Sequence, residues 1–451
     1  MSYRIIDLEV TQPLLSITLL PQETGIALIV RRKGEAIGFF MRSLPPLSKI
    51  TADQFSAWIT EEYGVQLIES TLRENLLQER PSTVEESRIY PINPKLPSVT
   101  IAICTKDRPE WAVRCVRSLQ ALHLFESTVG EVLEHRSADH SGDNLTHTLE
   151  EKYQDATVEI LVIDNAPSDS QTQDRIAAIP GIRYVQELKA GLNFARNRAI
   201  QEAKGELLAF MDDDVVVDSD WLMALWRSWT THPDAGAWTG QVLPYELETE
   251  AQILFELRGG FRRAFEPIRF GRILPTNSFY PSAVGICGTG CNMAFRRDML
   301  LKLNGFDEAL DTGKPLPGGG DHDIFYRVIR AGYPLIYESG CLVFHQHRRE
   351  HAQLRRQYWS WGLAIMAFLS KCHQSDPEMR SQVRALMGWW FQDEMRQVLY
   401  SLRGKHPLPV AMLLAELWGG VQGLFGEYQR SQSRSAYIRQ QLPLETLNDR
   451  V

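Results

Sequence analysis

The 451-residue sequence has no C-x-x-C pair: its six cysteines, Cys104, Cys115, Cys287, Cys291, Cys341 and Cys372, are scattered. That spacing argues against the usual zinc and disulfide frameworks and suits a reducing compartment. A basic excess is missing too. The formal net charge is −8, which argues against a protein that coats nucleic acid, since nothing would track a line of phosphates. No stretch reaches the ~18 uninterrupted apolar residues of a spanning helix. The nearest, 408–425, is interrupted by Glu416 and Gln422 and weakened by Gly419-Gly420, so it reads as a buried or interfacial helix. The opening Met-Ser-Tyr-Arg-Ile-Ile-Asp holds no signal-peptide core, and an intracellular protein is expected. Hydrophobic content of 44% and charged content of 23% are ordinary for a globular chain, long enough for more than one domain at roughly 100–200 residues each.

What is present is a run of carboxylates at the end of an apolar strand. Leu207-Leu-Ala-Phe-Met stops in Asp212-Asp213-Asp214. Three adjacent like charges repel, and desolvating them is expensive without a cation or donors. Alternate side chains of a strand share a face, so Asp212 and Asp214 are expected to point together and suit a divalent ion whose shell a phosphate completes.

The chain divides by rhythm. Residues 1–80 read as a small α/β module: a strand over 25–32, a turn at Lys33-Gly34-Glu35, a second strand, and a helix opened by the capping box Thr51-Ala-Asp-Gln54 with Phe55, Trp58 and Ile59 on one face. Residues 81–97 are proline-rich and read as a linker. From Ser98 to about 350, strands at 99–104, 160–163, 182–185 and 207–211 alternate with helices, which predicts a mostly parallel sheet. Ligands gather at the carboxyl ends of such strands. Thr105 and Asp107, Asp164, and the aspartate triplet sit there on three different strands. The polar stretch 126–155 interrupts the rhythm as a surface insertion. Residues 351–451 read as helical, with the aromatic groups Tyr358-Trp-Ser-Trp361 and Trp389-Trp-Phe391.

In this order the motifs resemble those of the family 2 glycosyltransferases, whose catalytic domain has the GT-A fold, a Rossmann-like α/β sheet. The resemblance covers 98 to about 348. Val99 to Pro109, with Thr105, Asp107 and Arg108, is similar to the first nucleotide-binding strand and loop. Asp164-Asn165 is similar to the second, where the resemblance implies contact with a uracil. Gly191-Leu-Asn193-Phe-Ala-Arg196-Asn197 resembles the segment beside the nucleotide, and Asp212-Asp213-Asp214 resembles the metal-binding D-x-D motif, with Asp213 on the nucleotide side. Gly290 and Asn292, in Gly288-Thr-Gly-Cys-Asn292, resemble the sugar and acceptor side, as do Gly320 and Asp323. Gly320-Asp321-His322-Asp323 stands where the family reads Glu-Asp-x-Asp, which implies Asp321 as general base. Gly320 departs from the customary glutamate. His345, in Val343-Phe-His345-Gln-His347, resembles the histidine that can complete the metal site.

Elementary chemistry supports those roles. A departing diphosphate needs a cation, and Asp212, Asp214 and His345 can hold one while leaving positions open. Oxygen ligands suit magnesium, and a histidine tilts the choice toward manganese. An attacking hydroxyl needs one positioned carboxylate, which fits single displacement with inversion. The expected reaction is transfer from a nucleotide-sugar donor, UDP-linked, to a glycan or lipid-linked acceptor, at the cytoplasmic face of a membrane that the basic-flanked 408–425 helix would touch. Two alternatives stand beside it. One is a nucleotidyltransferase, against which Thr105-Lys-Asp-Arg-Pro109 counts because it lacks a glycine-rich basic loop. The other is a degenerate nucleotide-sugar or partner-binding module, prompted by Gly320. Taken singly, Asp107 and Asp164 read equally as caps, and His345 as a packed histidine.

Overall fold

The computed structural model describes residues 2–78, 96–122, 157–274, 276–313 and 316–441. Most of the 81–97 linker and all of the 126–155 insertion lie outside the described residues. The N-terminal segment forms β1 (Ser2–Glu9), β2 (Ile17–Thr18), β3 (Glu23–Arg32), β4 (Glu35–Ser43), β5 (Lys49–Ile50) and helix α1 (Ala52–Gln78). Strands β1, β3 and β4 make a three-stranded sheet in that order. The β3–β4 hairpin turns at Lys33 and Gly34, both at positive φ (53° and 85°), which glycine accepts at no steric cost. Helix α1 opens as its sequence predicts: Thr51 N–H donates to Gln54 Oε1 (2.9 Å) and Gln54 N–H to Thr51 Oγ1 (3.3 Å). Phe55 and Ile59 are buried under the sheet beside Leu28 and Val30.

The main body follows as β6 (Val99–Thr105), α2 (Pro109–Gln120), β7 (Val158–Asn165), α3 (Gln171–Ala177), β8 (Ile182–Glu187), α4 (Leu192–Glu202), β9 (Leu207–Asp212), β10 (Val215–Val217), α5 (Trp221–Thr231), β11 (Ala237–Pro244), α6 (Glu250–Leu257), β12 (Ile268–Phe270), β13 (Asn292–Arg296), α7 (Arg297–Lys302), α8 (Gly320–Arg330) and β14 (Leu335–His345). Its nine-stranded sheet runs β10-β14-β11-β13-β9-β6-β7-β8, with β12 on β14. Strands β9, β6, β7 and β8 are mutually parallel, as the strand–helix rhythm predicts. Beyond β9 the sheet becomes mixed, because β13 runs antiparallel to both β9 and β11. Alternation along β6 and β9 divides the core: Ala102, Leu208 and Phe210 pack on one face, and Ile101, Ile103, Ala209 and Met211 on the other. Full burial of each of the larger of these side chains is worth about 1.5–3 kcal/mol, so both faces of β9 hold its end in place. The register sets Thr105 opposite Asp164 and Cys104 opposite Asp212.

The C-terminal region adds α9 (His351–Ser375), α10 (Arg380–Leu402), α11 (Val410–Leu424) and α12 (Glu427–Gln441). The glycines of α11 are packing surfaces. A Cβ on Gly419 would lie 2.0 Å from Trp359 O, and one on Gly362 of α9 would lie 1.9 Å from Glu416 O. Only glycine permits backbones this close. None of the described helices is long and apolar enough to cross a membrane. The N-terminal sheet is docked on the main body through Tyr3 and Phe39, packed with Leu243, Leu247 and Leu342. An ion pair of 2.6 Å between Arg31 and Asp218 joins the same two parts.

Candidate active site

The acidic triplet sits where β9 ends. The strand stops at Asp212, and Asp213-Asp214 form the turn into β10. Asp212 and Asp214 therefore converge through the turn and not through strand alternation. Pairing of β10 with β14 sets Val215 opposite His345, and ligand atoms of Asp212, Asp214 and His345 lie within 4.8 Å of one another. His345 Nε2 is 3.2 Å from Asp214 Oδ1, a buried oxygen that accepts no hydrogen bond of good geometry. Buried carboxylate oxygens without donors, beside an imidazole nitrogen, fit a divalent cation. Burial and the charge of Asp214 push Asp212 up. Burial opposes ionisation of Asp214 as well, yet His345 and Arg108 together hold it well below the usual carboxylate range.

Asp213 faces away from that cluster. It is fully buried, accepts a hydrogen bond from Thr105 Oγ1 (2.7 Å) and meets Arg108 Nη2 at 2.5 Å. Burial pushes its carboxyl up to about 7 despite Arg108. Arg108 also reaches Asp214 Oδ2 at 3.2 Å, so one guanidinium neutralises two carboxylates at the mouth of the cluster. Asp107, at φ 53°, accepts from Ser168 N (2.8 Å) and Ser168 Oγ (2.9 Å) and so ties the β6–α2 loop to the segment after β7. Asp164 is buried, with Oδ2 accepting from Tyr184 OH (2.8 Å) and Oδ1 unpartnered. Burial raises its pKa. Asn165 stitches β7 to the α4 approach, accepting from Gly191 N (2.8 Å) and donating to Lys189 O (2.7 Å).

Helix α4 contributes Arg196, which is 4% exposed and central. Its Nη1 donates to Asn193 Oδ1 (3.1 Å) and Asp311 Oδ2 (3.2 Å), and its Nη2 to Gly290 O (3.4 Å). The same Nη2 lies 4.0 Å from Asp212 Oδ1. Gly290 N donates in turn to Asp321 Oδ2 (3.1 Å). Arg196 and Gly290 thus link the Asp212–Asp214–His345 cluster to the first turn of α8, where Asp321 Oδ1 accepts from His322 N (2.8 Å) and lies 3.0 Å from His322 Nδ1. Burial would raise Asp321, but His322 and Arg196 hold it well below its ordinary value. A Cβ on Gly290 would lie 3.0 Å from Arg196 Nη2 and 3.2 Å from Asp321 Cβ, so a side chain at 290 would press on both.

Several motif residues turn inward instead. Asn292 is buried, accepting from Trp221 Nε1 (2.9 Å) and donating to Cys341 O (2.7 Å) and Gln241 O (3.1 Å). Asp323 is buried between Arg327 Nε (2.8 Å) and Lys371 Nζ (2.6 Å). Asn193 and Asn197 donate to backbone carbonyls of the 306–310 segment. These four brace the walls of the site.

One carboxylate at the site escaped the sequence motifs. Asp311 accepts from Gly320 N (3.0 Å) as well as from Arg196. A Cβ on Gly320 would lie 2.2 Å from Asp311 Oδ2. The carboxylate missing from position 320 is thus replaced in space by one from nine residues upstream, and burial pushes it up to about 6 against the pull of Arg196. A lone Asp after Leu310 carries no periodic or motif signal. Glu256, buried against His347, carries no motif signal either.

The family model for Glycosyl transferase family 2 matches residues 141–303. The chain is 24% identical over 308 residues to the glucosyl-dolichyl phosphate glucuronosyltransferase of Haloferax volcanii, covering 64% of this chain and 86% of that one. It is 27% identical over 253 residues to the succinoglycan biosynthesis protein ExoM of Rhizobium meliloti, covering 54% and 65% respectively. Among solved structures, the mannosyltransferase PcManGT of Pyrobaculum calidifontis, in complex with GDP-Man and Mn2+, aligns at 16% identity and a TM-score of 0.41, over 85% of this chain and 94% of that one. The family model over residues 141–303 and a relative named as a glucuronosyltransferase support a glycosyltransferase of family 2.

Proposed function

We propose that the enzyme transfers a sugar from a UDP-linked donor to a hydroxyl of a glycan or lipid-linked acceptor, by metal-dependent single displacement with inversion. The observation that carries this reading is the placement of Asp321 beside the Asp212–Asp214–His345 cluster, joined to it through Arg196 and Gly290. Asp212, Asp214 and His345 would hold the divalent ion, manganese in preference to magnesium, and the ion would offset the charge of the departing diphosphate. Arg108 and Arg348 stand at 3.2 and 3.9 Å from Asp214 Oδ2, ready to exchange that carboxylate for phosphate oxygens as the donor enters. Asp164 Oδ1, a buried acceptor without a donor, is suited to the N–H of a uracil ring. Asp321, ionised and aligned by His322 and Gly290, takes the acceptor proton as the new glycosidic bond forms. Asp321 as the single base suits one displacement, while Asp311 is engaged by Arg196 and Gly320 N.

The degenerate-module reading loses its motive, because Asp311 fills the space that Gly320 leaves. A relative whose name specifies a glucosyl-dolichyl phosphate substrate favours a lipid-linked acceptor, and so does the surface of the helical region. Leu402, Leu414, Trp418 and Phe425 are 65%, 47%, 57% and 73% exposed, and Arg403 and Lys405 lie beside them in sequence. Such a face suits an anionic membrane surface. Arg434 and Arg439 are engaged with Thr312 O and Glu308, which leaves Arg403 and Lys405 as the basic rim. Six unpaired, buried cysteines are in keeping with the cytoplasmic side. The N-terminal module, 1–80, is proposed as a docked accessory to a catalytic domain of 98–350, with 351–451 as the membrane-facing part.

The test is turnover of UDP-sugars with manganese, with UDP release coupled to formation of a glycosylated acceptor. Release of pyrophosphate, or absence of turnover despite donor binding, would reject the assignment. Flotation with anionic liposomes, lost in Trp418→Glu, tests the membrane face separately.

A further inference from the structure

We propose that Glu256 and His347 form a positioning relay that fixes the tautomer of His345 and aims its Nε2 lone pair at the Asp212–Asp214 pair. The proposal rests on the metal-site reading above and adds residues to which no motif assigns a role. His347 Nε2 lies 2.7 Å from Glu256 Oε1, and His347 Nδ1 lies 3.4 Å from His345 Nδ1. His345 Nε2 then faces Asp214 Oδ1 at 3.2 Å. Glu256 side-chain exposure is 0% and that of His347 is 2%.

Hydrogen-bond direction along this line is constrained from one end. Glu256 is paired through Oε2 with Arg262 Nε at 2.8 Å, so it is a carboxylate and can only accept. His347 must donate to it from Nε2, which leaves Nδ1 of His347 as an acceptor. Among the described residues, the donor facing that nitrogen along the line is His345 Nδ1 at 3.4 Å, so a proton belongs there and Nε2 is the nitrogen left for a metal ion. Asp214 Oδ1 at 3.2 Å from that nitrogen calls for a positive charge beside it, carried by an imidazole proton or by a metal ion. A divalent ion bound by both satisfies that requirement, and a histidine ligand whose other nitrogen is held by a hydrogen-bonded partner is the usual way to fix its orientation.

Stability alone does not account for the arrangement. Burying ions costs several kcal/mol each, and a packed apolar group would serve as well or better. The surroundings are nonetheless built around it. Phe255 and Phe261 rings lie 4.6 and 5.9 Å from His347, and Phe261 lies 5.1 Å from His345. Gln252 Nε2 donates to His347 O (3.3 Å), and Gly260 at φ +58° has no side chain, where a Cβ would come 2.3 Å from Glu256 Oε1. Arg262 in turn lies 4.6 Å over the ring of Phe39 in β4. The docked N-terminal module therefore covers the far end of the relay.

The test is a Mn2+ titration of the full-length enzyme, following free Mn2+ by electron paramagnetic resonance, with and without UDP. His347→Phe removes the acceptor but keeps an aromatic ring among Phe255 and Phe261. We expect Mn2+ affinity to fall about 10–100-fold, with metal-free UDP binding unchanged. Wild-type Mn2+ affinity in a folded His347→Phe protein would overturn the relay while leaving the metal site intact. Absence of Mn2+ binding by the wild type would overturn the metal site and the relay's purpose together. If His347→Phe does not fold, ring 15N resonances of the metal-free wild type decide: a proton on His345 Nδ1 is expected, and one on Nε2 with Nδ1 bare overturns the proposal.

Discussion

Replacing Gly320 by alanine tests the claim that Asp311 occupies the space of a missing side chain. The added methyl would lie 2.2 Å from Asp311 Oδ2 and 2.4 Å from Asn193 Nδ2, more than an ångström inside ordinary contact. Neither neighbour can swing away freely. Asp311 is held by Arg196 at 3.2 Å, and Asn193 donates to Asp307 O and Leu310 O at 2.9 and 3.1 Å. Overpacking of this kind costs about 1–3 kcal/mol, and displacing Asp311 from Gly320 N forfeits another ~1 kcal/mol of hydrogen bonding. Against this stands a gain of at most about 1 kcal/mol from helix propensity, reduced because residue 320 begins α8. The clash wins by roughly 1–3 kcal/mol. For a domain of this size, that lowers Tm by a few degrees, about 2–4 °C per kcal/mol. Because Asp321 follows directly, transfer should fall more than tenfold even where the protein remains folded. Differential scanning fluorimetry and a UDP-release assay measure both. An unchanged Tm with full activity in Gly320→Ala would refute the stand-in role of Asp311.

Three further outcomes follow from the same geometry. Asp321→Asn should lower transfer by about 10²–10⁴-fold, the range of general-base catalysis, while calorimetric donor affinity stays within a few fold; undiminished turnover would remove Asp321 from the base role. Asp311, raised to about 6, binds its proton more tightly folded than unfolded, so its contribution is present below about pH 4 and lost as pH rises through about 6. Melting of Asp311→Asn relative to wild type should therefore improve from pH 4 to pH 7, and parallel curves would contradict the burial of that carboxylate between Arg196 and Asp321. Gly362→Ala places a Cβ 1.9 Å from Glu416 O, a backbone atom that cannot rotate aside; a loss of about 3 kcal/mol is expected, and a wild-type Tm would mean that α9 and α11 lie farther apart.

The parts of the site legible in the sequence are those carried by local pattern. Apolar strands ending in polar residues located Thr105, Asp164 and Asp212 at neighbouring strand ends, and the register confirms their adjacency. Thr51 and Gln54 announced their helix because a capping box is complete within four residues. The convergence of Asp212 with Asp214 was expected from strand alternation but arises from a turn, since β9 ends at Asp212 itself. Partners distant in sequence stayed hidden. Asn292 and Asp323 lie in motif positions, yet Trp221 and Lys371 hold them in the wall. Asp311 and the Glu256–His347 pair gain their places only through tertiary packing. Gly419-Gly420, which weakens a helix considered alone, is what lets α11 approach α9.

The Asp212–Asp214–His345 cluster is proposed as a metal-dependent UDP-sugar site. Isothermal titration with UDP, GDP and dTDP, each with and without Mn2+, tests it most directly in the wild type and in Asp214→Asn. UDP binding should tighten with Mn2+ in the wild type and lose that dependence in the variant. UDP binding indifferent to Mn2+, or an unaltered response in Asp214→Asn, would contradict it.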